Sequence, residues 1–135
     1  MTKVVILAGG FGTRISDYNK TVPKPMITIN NKPMLVHIME HYAKYGFTDF
    51  YIALGYKGSV IKKYFKNHNF SWKINLIETG LKTMTGGRLK RLKKYLKSST
   101  FFLTYGDGLS NINIKKLMEF HLKNKKMVTL SAVRP

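Results

Sequence analysis

Residues 4–14 read VVILAGGFGTR, an apolar run that passes into a glycine-rich loop and ends in a cation. The apolar part is short and rich in β-branched side chains, which is typical of a strand buried on both faces. Three glycines then let the backbone turn sharply and come close to a ligand. Exposed amide groups in such a turn can bind an anion, and Thr13 and Arg14 add a hydroxyl donor and a guanidinium group. The stretch therefore predicts a phosphate-binding loop that follows a strand.

The spacing of these glycines departs from two familiar phosphate loops. The dinucleotide fingerprint requires a glycine where Ile15 stands, and the Walker A loop requires a Gly-Lys-Ser/Thr ending that is missing here. A glycine-rich turn without a ligand is the simpler alternative. That alternative loses weight because residues 23–26 read PKPM, so that Lys24 stands between two prolines that fix the backbone. A lysine held in this way can be aimed at a bound phosphate.

Five short motifs follow one another along the chain. They read LAGGFGTR at 7–14, PKPM at 23–26, GYKG at 55–58, MTGGR at 84–88 and YGDG at 105–108. The ordered set resembles the signature of the sugar-1-phosphate nucleotidyltransferases, and within them most closely that of the glucose-1-phosphate cytidylyltransferases. The resemblance runs over nearly the whole chain, and the set is far more specific than any single motif.

The resemblance implies an enzyme that carries out nucleotidyl transfer. An oxygen of a sugar 1-phosphate attacks the α-phosphorus of a nucleoside triphosphate, and a nucleotide-sugar and pyrophosphate are formed. CTP and glucose 1-phosphate are the favoured substrates. The implied nucleotide-binding residues are Leu7, Ala8, Gly9, Gly10, Gly12, Thr13, Arg14, Lys24, Thr85, Gly86, Gly87 and Arg88. Arg14 and Lys24 are the implied catalytic residues, with Lys24 near the α-phosphate.

Asp107 is the candidate metal ligand. It stands between two glycines at the carboxyl end of a predicted strand, and a carboxylate that faces a phosphate site calls for a cation between them. The resemblance implies that this cation is Mg²⁺. Members of the family carry a second metal-binding aspartate and sugar-phosphate contacts in a further sheet region. No other carboxylate here stands in a motif that resembles that second ligand; the five others are Asp17, Glu40, Asp49, Glu78 and Glu119.

The size of the chain predicts one domain. It has 135 residues, of which 44% are hydrophobic and 13% aromatic, enough for a real core. We expect a nucleotide-binding domain over residues 1–135 that is incomplete at its C-terminus and has little activity alone. The absence of cysteine excludes disulfides, thiolate zinc sites and cysteine nucleophiles. No apolar run is long enough to span a membrane, so we expect a cytoplasmic protein without a membrane partner. Homo-oligomerisation is compatible with the sequence and is left open.

The charge of the chain favours anionic partners. Lys and Arg number 24 against 6 Asp and Glu, which gives a formal net charge of +18. The lysines concentrate in residues 57–66, 90–97 and 115–126, mostly at polar positions of predicted helices. Because no nucleic-acid-binding motif accompanies them, a solvated basic face that tolerates phosphate-bearing small molecules is favoured over nucleic acid. A non-catalytic nucleotide- or RNA-binding domain remains the alternative function.

The order of predicted elements indicates the fold class. Strands are predicted at 4–8, 50–54, 72–77, 101–105 and 127–133, and helices begin near Pro33, Ser59, Thr85 and Asn113, the last three as caps. Strands that alternate with helices predict a Rossmann-like α/β domain of nucleotidyltransferase type, with a mostly parallel sheet and helices on both faces. His37 and His41 lie four residues apart on the first helix, and packing or a place on the polar surface is favoured over metal binding for this pair.

Overall fold

The computed structural model describes residues 1–10 and 22–134. Its centre is a four-stranded parallel sheet, and a separate antiparallel pair of two-residue strands precedes the first helix. The strands are β1 Lys3–Leu7, β2 Thr28–Ile29, β3 Lys32–Pro33, β4 Asp49–Leu54, β5 Lys73–Glu78 and β6 Phe101–Tyr105. The order in the large sheet is β5-β4-β1-β6, so the first strand of the chain lies in the interior of the sheet.

β1 is apolar throughout its buried part because both of its faces are covered. It pairs in parallel with β4 on one side and with β6 on the other, so that Val5 stands opposite Tyr51 and Leu103. Successive side chains of a strand point to opposite faces. Val4 and Ile6 accordingly enter one hydrophobic core, and Val5 and Leu7 enter a second core on the other face. The predicted buried strand is confirmed.

Five helices cover the two faces. They are α1 Met34–Ala43, α2 Gly58–Asn67, α3 Thr85–Arg91, α4 Lys93–Leu96 and α5 Ile114–Asn124. Apolar residues of α1, α2 and α5 pack on one face, for example Met39, Ile61 and Ile114. Leu92 and Leu96, at the junction and end of α3 and α4, pack on the other. The predicted α/β architecture with helices on both sides of a parallel sheet is confirmed.

Local signals predicted some helix ends and missed others. The side chain of Asn113 accepts a hydrogen bond from the Lys116 N–H at 3.0 Å, which confirms the predicted cap of α5. The predicted caps Ser59 and Thr85 are wrong. The N-cap residue of α2 is Lys57, whose backbone lies in the left-handed region at φ 52°, and that of α3 is Met84. Neither side chain forms a capping hydrogen bond. The N-cap position lies two residues before Ser59 and one residue before Thr85, so both hydroxyl residues are already inside their helices.

The predicted fifth strand at 127–133 is also wrong. This segment has no strand pairing in the described chain, and Met127, Leu130 and Val133 are exposed. A groove with a cavity volume of about 900 Å³ lies between the segment and β6. Because the groove separates the segment from the nearest strand edge, its backbone cannot form a ladder with β6, whatever the β propensity of its side chains. No helix in the described residues is long and apolar enough to cross a membrane.

Candidate functional site

The carboxyl ends of the four parallel strands are joined by backbone hydrogen bonds into one edge. The Ala8 N–H donates to the Ala53 carbonyl at 3.0 Å, and the Tyr56 N–H donates to the Gly9 carbonyl at 3.1 Å. On the other side of β1, the Gly106 N–H donates to the Leu7 carbonyl at 2.9 Å. Open α/β sheets bind ligands at this edge. The structure therefore brings three of the five sequence motifs, at 7–10, 55–58 and 105–108, to one place.

Lys24 belongs to this edge through a short 3-10 helix, Lys24–Met26, which follows Pro23. The Met26 N–H donates to the Pro23 carbonyl at 2.9 Å, and the Pro25 and Met26 side chains are buried. A methyl group at Gly106 would lie 3.1 Å from Pro25 Cγ, closer than side-chain carbons normally approach. Glycine at position 106 thus allows the proline segment to pack on the end of β6. The prediction that the prolines orient Lys24 has its physical basis in this packing.

Lys24 and Asp107 form an ion pair across the edge. The distance from Lys24 Nζ to Asp107 Oδ2 is 3.1 Å, and the side chains are 22% and 40% exposed. The candidate catalytic cation and the candidate metal ligand, remote in sequence, are therefore neighbours. Both remain accessible to a ligand, because neither side chain is buried.

The first part of the glycine-rich loop lies beside them. Leu7 and Ala8 are buried, and the Leu7 carbonyl and the Ala8 N–H are already used by the backbone bonds of the edge. The Gly9 carbonyl accepts the Tyr56 N–H, whereas Gly10 is exposed with open space on its Cα. Gly10 is thus the glycine of this pair that has room for a ligand. Gly12, Thr13 and Arg14 lie outside the described residues, and their roles stay predictions.

The Thr85-Gly86-Gly87 motif opens α3. Thr85 and Gly86 are exposed, and nothing lies within 4 Å of the position that a Cβ of Gly86 would take. Thr85 and Gly86 therefore present an open backbone surface. Their contact with a base or phosphate stays a prediction.

Arg88, the next residue, is placed differently. Its side chain is only 4% exposed. Within the part of the chain that the structure describes, its guanidinium group has five hydrogen-bond partners, all neutral oxygens. Nη1 donates to the Leu54 carbonyl (3.3 Å), Thr79 Oγ1 (2.9 Å) and the Gly80 carbonyl (2.7 Å), and Nη2 donates to the carbonyls of Gly9 (2.8 Å) and Leu81 (3.3 Å). Burial, and to a lesser extent the charge of Arg91, lowers the pKa of Arg88. The guanidinium group binds the protein itself at the edge of the sheet.

Thr79 is a residue of this edge that sequence reasoning missed. It is fully buried, and its hydroxyl donates to the Leu54 carbonyl at 2.8 Å while accepting from Arg88. The only local signal is its position directly after β5 and before a glycine. That signal is typical of any turn, so the partner could not be found without the fold.

Asp107 is the candidate metal ligand at this edge. The described residues contain no group of three or more His, Cys, Asp or Glu that could hold a metal ion. Mg²⁺ commonly keeps several waters and binds through one or two carboxylates together with substrate phosphates. Asp107, exposed beside the glycine loop, fits that kind of site, in which the triphosphate completes the coordination. His37 and His41 each donate an Nε2–H to a different backbone carbonyl, that of Ile29 at 2.6 Å and that of Ile112 at 2.7 Å.

Comparison with known proteins gives the class of this fold and site. The solved structure of HddC from Yersinia pseudotuberculosis complexed with GMP-PN is similar with a TM-score of 0.79 and 35% identity, over 90% of this chain and 55% of that chain. The glucose-1-phosphate cytidylyltransferase of Salmonella typhimurium is 43% identical, over 98% of this chain and 61% of the relative. The D-glycero-alpha-D-manno-heptose 1-phosphate guanylyltransferase of Campylobacter jejuni is 38% identical, over 85% of this chain and 52% of the relative.

These similarities define an α/β domain of nucleotidyltransferase type. The nucleotidyl transferase family matches residues 3–135, and the chain belongs to that family. The family resemblance drawn from the five motifs is thereby confirmed. The chain spans about three fifths of the length of the Salmonella relative and about half that of the Campylobacter relative.

Proposed function

We propose that this chain binds a nucleoside triphosphate with Mg²⁺ at the carboxyl edge of its sheet and provides the nucleotide-binding part of a sugar-1-phosphate nucleotidyltransferase. The observation that carries the proposal is the pairing of Lys24 with Asp107 at 3.1 Å beside the glycine loop. A metal–triphosphate complex has an anionic part, the phosphates, and a cationic part, the metal. An ammonium group and a carboxylate held together at an accessible edge are complementary to these two parts. Lys24 would face phosphate oxygens, and Asp107 would face the metal.

The proposed reaction needs no covalent intermediate on the protein. An oxygen of the sugar 1-phosphate forms a bond to the α-phosphorus, the bond between that phosphorus and the bridging oxygen to the β-phosphorus breaks, and pyrophosphate leaves with the bond electrons. Catalysis of such transfers rests chiefly on positioning and on neutralising charge. Bound Mg²⁺ would neutralise phosphate charge and orient the reacting groups. Asp107 would hold this metal, and the rigid backbone around Pro23 and Pro25 would keep the Lys24 ammonium at the phosphates.

CTP and glucose 1-phosphate are the substrates we propose. Support comes from the Salmonella relative, whose name gives that activity and which is 43% identical over nearly the whole chain. The Campylobacter relative is named a guanylyltransferase at 38% identity, so GTP is the competing nucleotide. The exposed backbone at Thr85 and Gly86 offers an open surface against which a base would lie. A cytoplasmic location stays a prediction.

The proposal is tested by nucleotide binding to the 135-residue chain. Thermal unfolding is followed with CTP, GTP or ATP, each with and without Mg²⁺. A ligand that binds only the folded state stabilises it, by about 2.7 kcal/mol at roughly 100 times its Kd. We expect the largest rise in Tm with CTP and Mg²⁺. Equal shifts for all three nucleotides would contradict the CTP assignment, and no shift with any of them would contradict the site itself.

A non-catalytic RNA-binding domain is the second candidate, and the charge of the chain supports it. The net charge is +18, and the cations Lys90, Lys93, Lys94 and Lys97 surround one shallow depression near α4. A salt titration separates the candidates, because each phosphate contact with nucleic acid adds to the salt dependence of binding. Tight RNA binding that falls steeply with salt, without preference among nucleoside triphosphates, would favour this second function over the first.

A further inference from the structure

The guanidinium group of Arg88 connects three segments that are remote in sequence. It donates to the carbonyl of Gly9 after β1, to that of Leu54 at the end of β4 and to that of Gly80 after β5. These three strands are neighbours in the sheet, and their carboxyl ends form the edge described above. We call this set of hydrogen bonds, from Arg88 to Gly9, Leu54 and Gly80, the Arg88 clasp. It links the start of the glycine loop to two other loops of the edge.

The donors of Arg88 that form these bonds are directed into the protein. The side chain is buried, and its partners among the described residues are carbonyls and one hydroxyl, with no carboxylate. A buried cation is costly unless hydrogen bonds replace its water. The planar guanidinium fork fixes the spacing of the oxygens that it binds, which a lysine ammonium cannot do. The clasp can therefore set the relative positions of the three loops.

Two glycines of the edge make room for this guanidinium group. A Cβ at Gly9 would lie 2.6 Å from Arg88 Cζ, and one at Gly55 would lie 2.9 Å from the same atom. Neither Gly9 nor Gly55 is among the described residues with positive φ, so their backbone conformation alone does not require glycine. At Gly9 the close approach of Arg88 does, and at Gly55 both Arg88 and the Gly9 carbonyl oxygen, 2.6 Å from such a Cβ, leave no room for a side chain. The glycine that opens the phosphate loop is thus matched to an arginine far along the chain.

We propose that Arg88 is a positioning residue for nucleotide binding, and this inference rests on the proposed function. Through the Gly9 carbonyl it holds the first glycine of the loop against β4 and the β5 loop, which fixes the backbone at Gly9 and Gly10. Arg88 itself does not touch the phosphates. The alternative is that the charge of Arg88 binds phosphate directly. A lysine could supply that charge, but it could not reproduce the spacing of the guanidinium hydrogen bonds.

The test compares Arg88→Ala and Arg88→Lys with the parent and with Lys90→Ala, which removes an exposed cation from the same helix. The Kd for CTP with Mg²⁺ is measured by calorimetry well below the Tm of every variant. We expect Arg88→Ala and Arg88→Lys both to weaken binding by about 10- to 100-fold, since small misplacement of binding groups has effects of this order. Lys90→Ala should keep the parent Kd. Millimolar guanidinium chloride should partly restore binding by Arg88→Ala, and methylammonium should not.

A second comparison uses the matched glycines. Gly9→Ala should weaken CTP binding in the parent and have a smaller further effect in Arg88→Ala, because the clash with the guanidinium group is then gone and only the 3.0 Å approach to the Gly55 nitrogen remains. Gly10→Ala is the control, since a Cβ there has nothing within 4 Å. Its effect should be the same in both backgrounds. Shifts of the Gly9, Gly55 and Gly80 amide signals in the Arg88 variants provide a readout that needs no nucleotide.

The outcomes separate the inference from the function on which it rests. A parent chain that binds no nucleotide contradicts the proposed function, and the amide signals then decide whether the clasp exists. A parent that binds CTP while Arg88→Lys binds it equally well supports direct charge binding and overturns the positioning role. Variants that lose Tm but keep the parent Kd, or that fail to fold at all, show a purely structural arginine and also overturn it.

Discussion

Asp107 forms an ion pair with Lys24 at 3.1 Å, in which the two charges neutralise one another. To bind a metal ion, the Asp107 carboxylate must either interact with Lys24 and the metal together or break the ion pair. Asp107→Asn keeps the shape of the side chain and removes the charge that Mg²⁺ requires. We expect the Mg²⁺-dependent part of CTP binding to be lost, while the free energy of unfolding changes by no more than about 1 kcal/mol, the usual scale for an exposed ion pair. Calorimetric CTP titrations with and without Mg²⁺ measure the first effect, and urea unfolding measures the second.

Glu40→Gln is the matched control for this variant. Glu40 forms a comparable exposed ion pair with Lys32 at 3.0 Å, away from the edge of the sheet. Its loss should leave the Mg²⁺ dependence of CTP binding unchanged. If Asp107→Asn and Glu40→Gln behave alike in the CTP titrations, Asp107 is a turn residue and the metal assignment fails.

Gly106 determines whether the proline segment can pack on β6. In Gly106→Ala the added methyl would lie 3.1 Å from Pro25 Cγ and 3.3 Å from Ala8 Cβ, so Pro25 must move. We expect a loss of about 1–3 kcal/mol in the free energy of unfolding, the usual effect of an overfilled contact, together with weaker CTP binding because Lys24 moves with Pro25. Gly108→Ala, with nothing within 4 Å of its Cβ, is the control. Unchanged urea unfolding for Gly106→Ala would show that the proline segment adapts without strain.

At the scale of the element, α5 depends on one cap that the sequence identified. Asn113→Ala removes the acceptor of the Lys116 N–H and should lower the free energy of unfolding by about 1 kcal/mol. Asn111→Ala, an exposed asparagine two residues earlier, should have little effect. Urea unfolding of both variants measures the difference. Equal destabilisation would mean that the effect belongs to the loop and that the cap contributes nothing specific.

The elements of the parallel sheet were predictable because their signals are local. An apolar run such as Val4–Leu7 indicates a buried strand wherever it pairs, and an asparagine before an apolar helix indicates a cap. The segment 127–133 carries the same strand signal, but pairing also requires an edge within reach, and a groove separates it from β6. Pairing depends on the rest of the molecule, so the local signal gave a wrong prediction there.

The candidate site was predictable in part for a similar reason. Lys24 and Asp107 stand in recognisable motifs, and the common carboxyl edge of parallel strands predicts that such motifs meet. The partners of Arg88 could not be predicted, because Gly9, Leu54 and Gly80 become neighbours only through the strand order β5-β4-β1. The sequence explained Gly9 only as part of a phosphate loop, whereas in the structure the guanidinium group of Arg88 lies against it.

At the scale of the whole molecule, we expect nucleotide binding to exceed turnover. The glycine loop and Lys24 belong to this chain, but the chain matches only 61% of the Salmonella relative. An acceptor phosphate that is not held in line with the α-phosphorus loses most of the advantage of positioning. Pyrophosphate release from CTP with glucose 1-phosphate should therefore be slow for this chain and faster for a chimera that continues with the unmatched part of the relative. Rapid release by the 135-residue chain itself would show that its own residues suffice.

The interior position of β1 has a consequence for synthesis on the ribosome. β1 is translated before β4 and β6, and one of its two edges stays open until β6, Phe101–Tyr105, has also emerged. At about 5–20 residues per second, the nascent chain spends roughly 3 to 10 s between the completion of β4 and that of β6 with Val4–Leu7 paired on one side only. During that interval the strand offers an apolar, unpaired edge to any chaperone that binds extended hydrophobic segments. A ribosome stalled shortly after Leu54 should retain such a chaperone, and one stalled well beyond Tyr105 should release it.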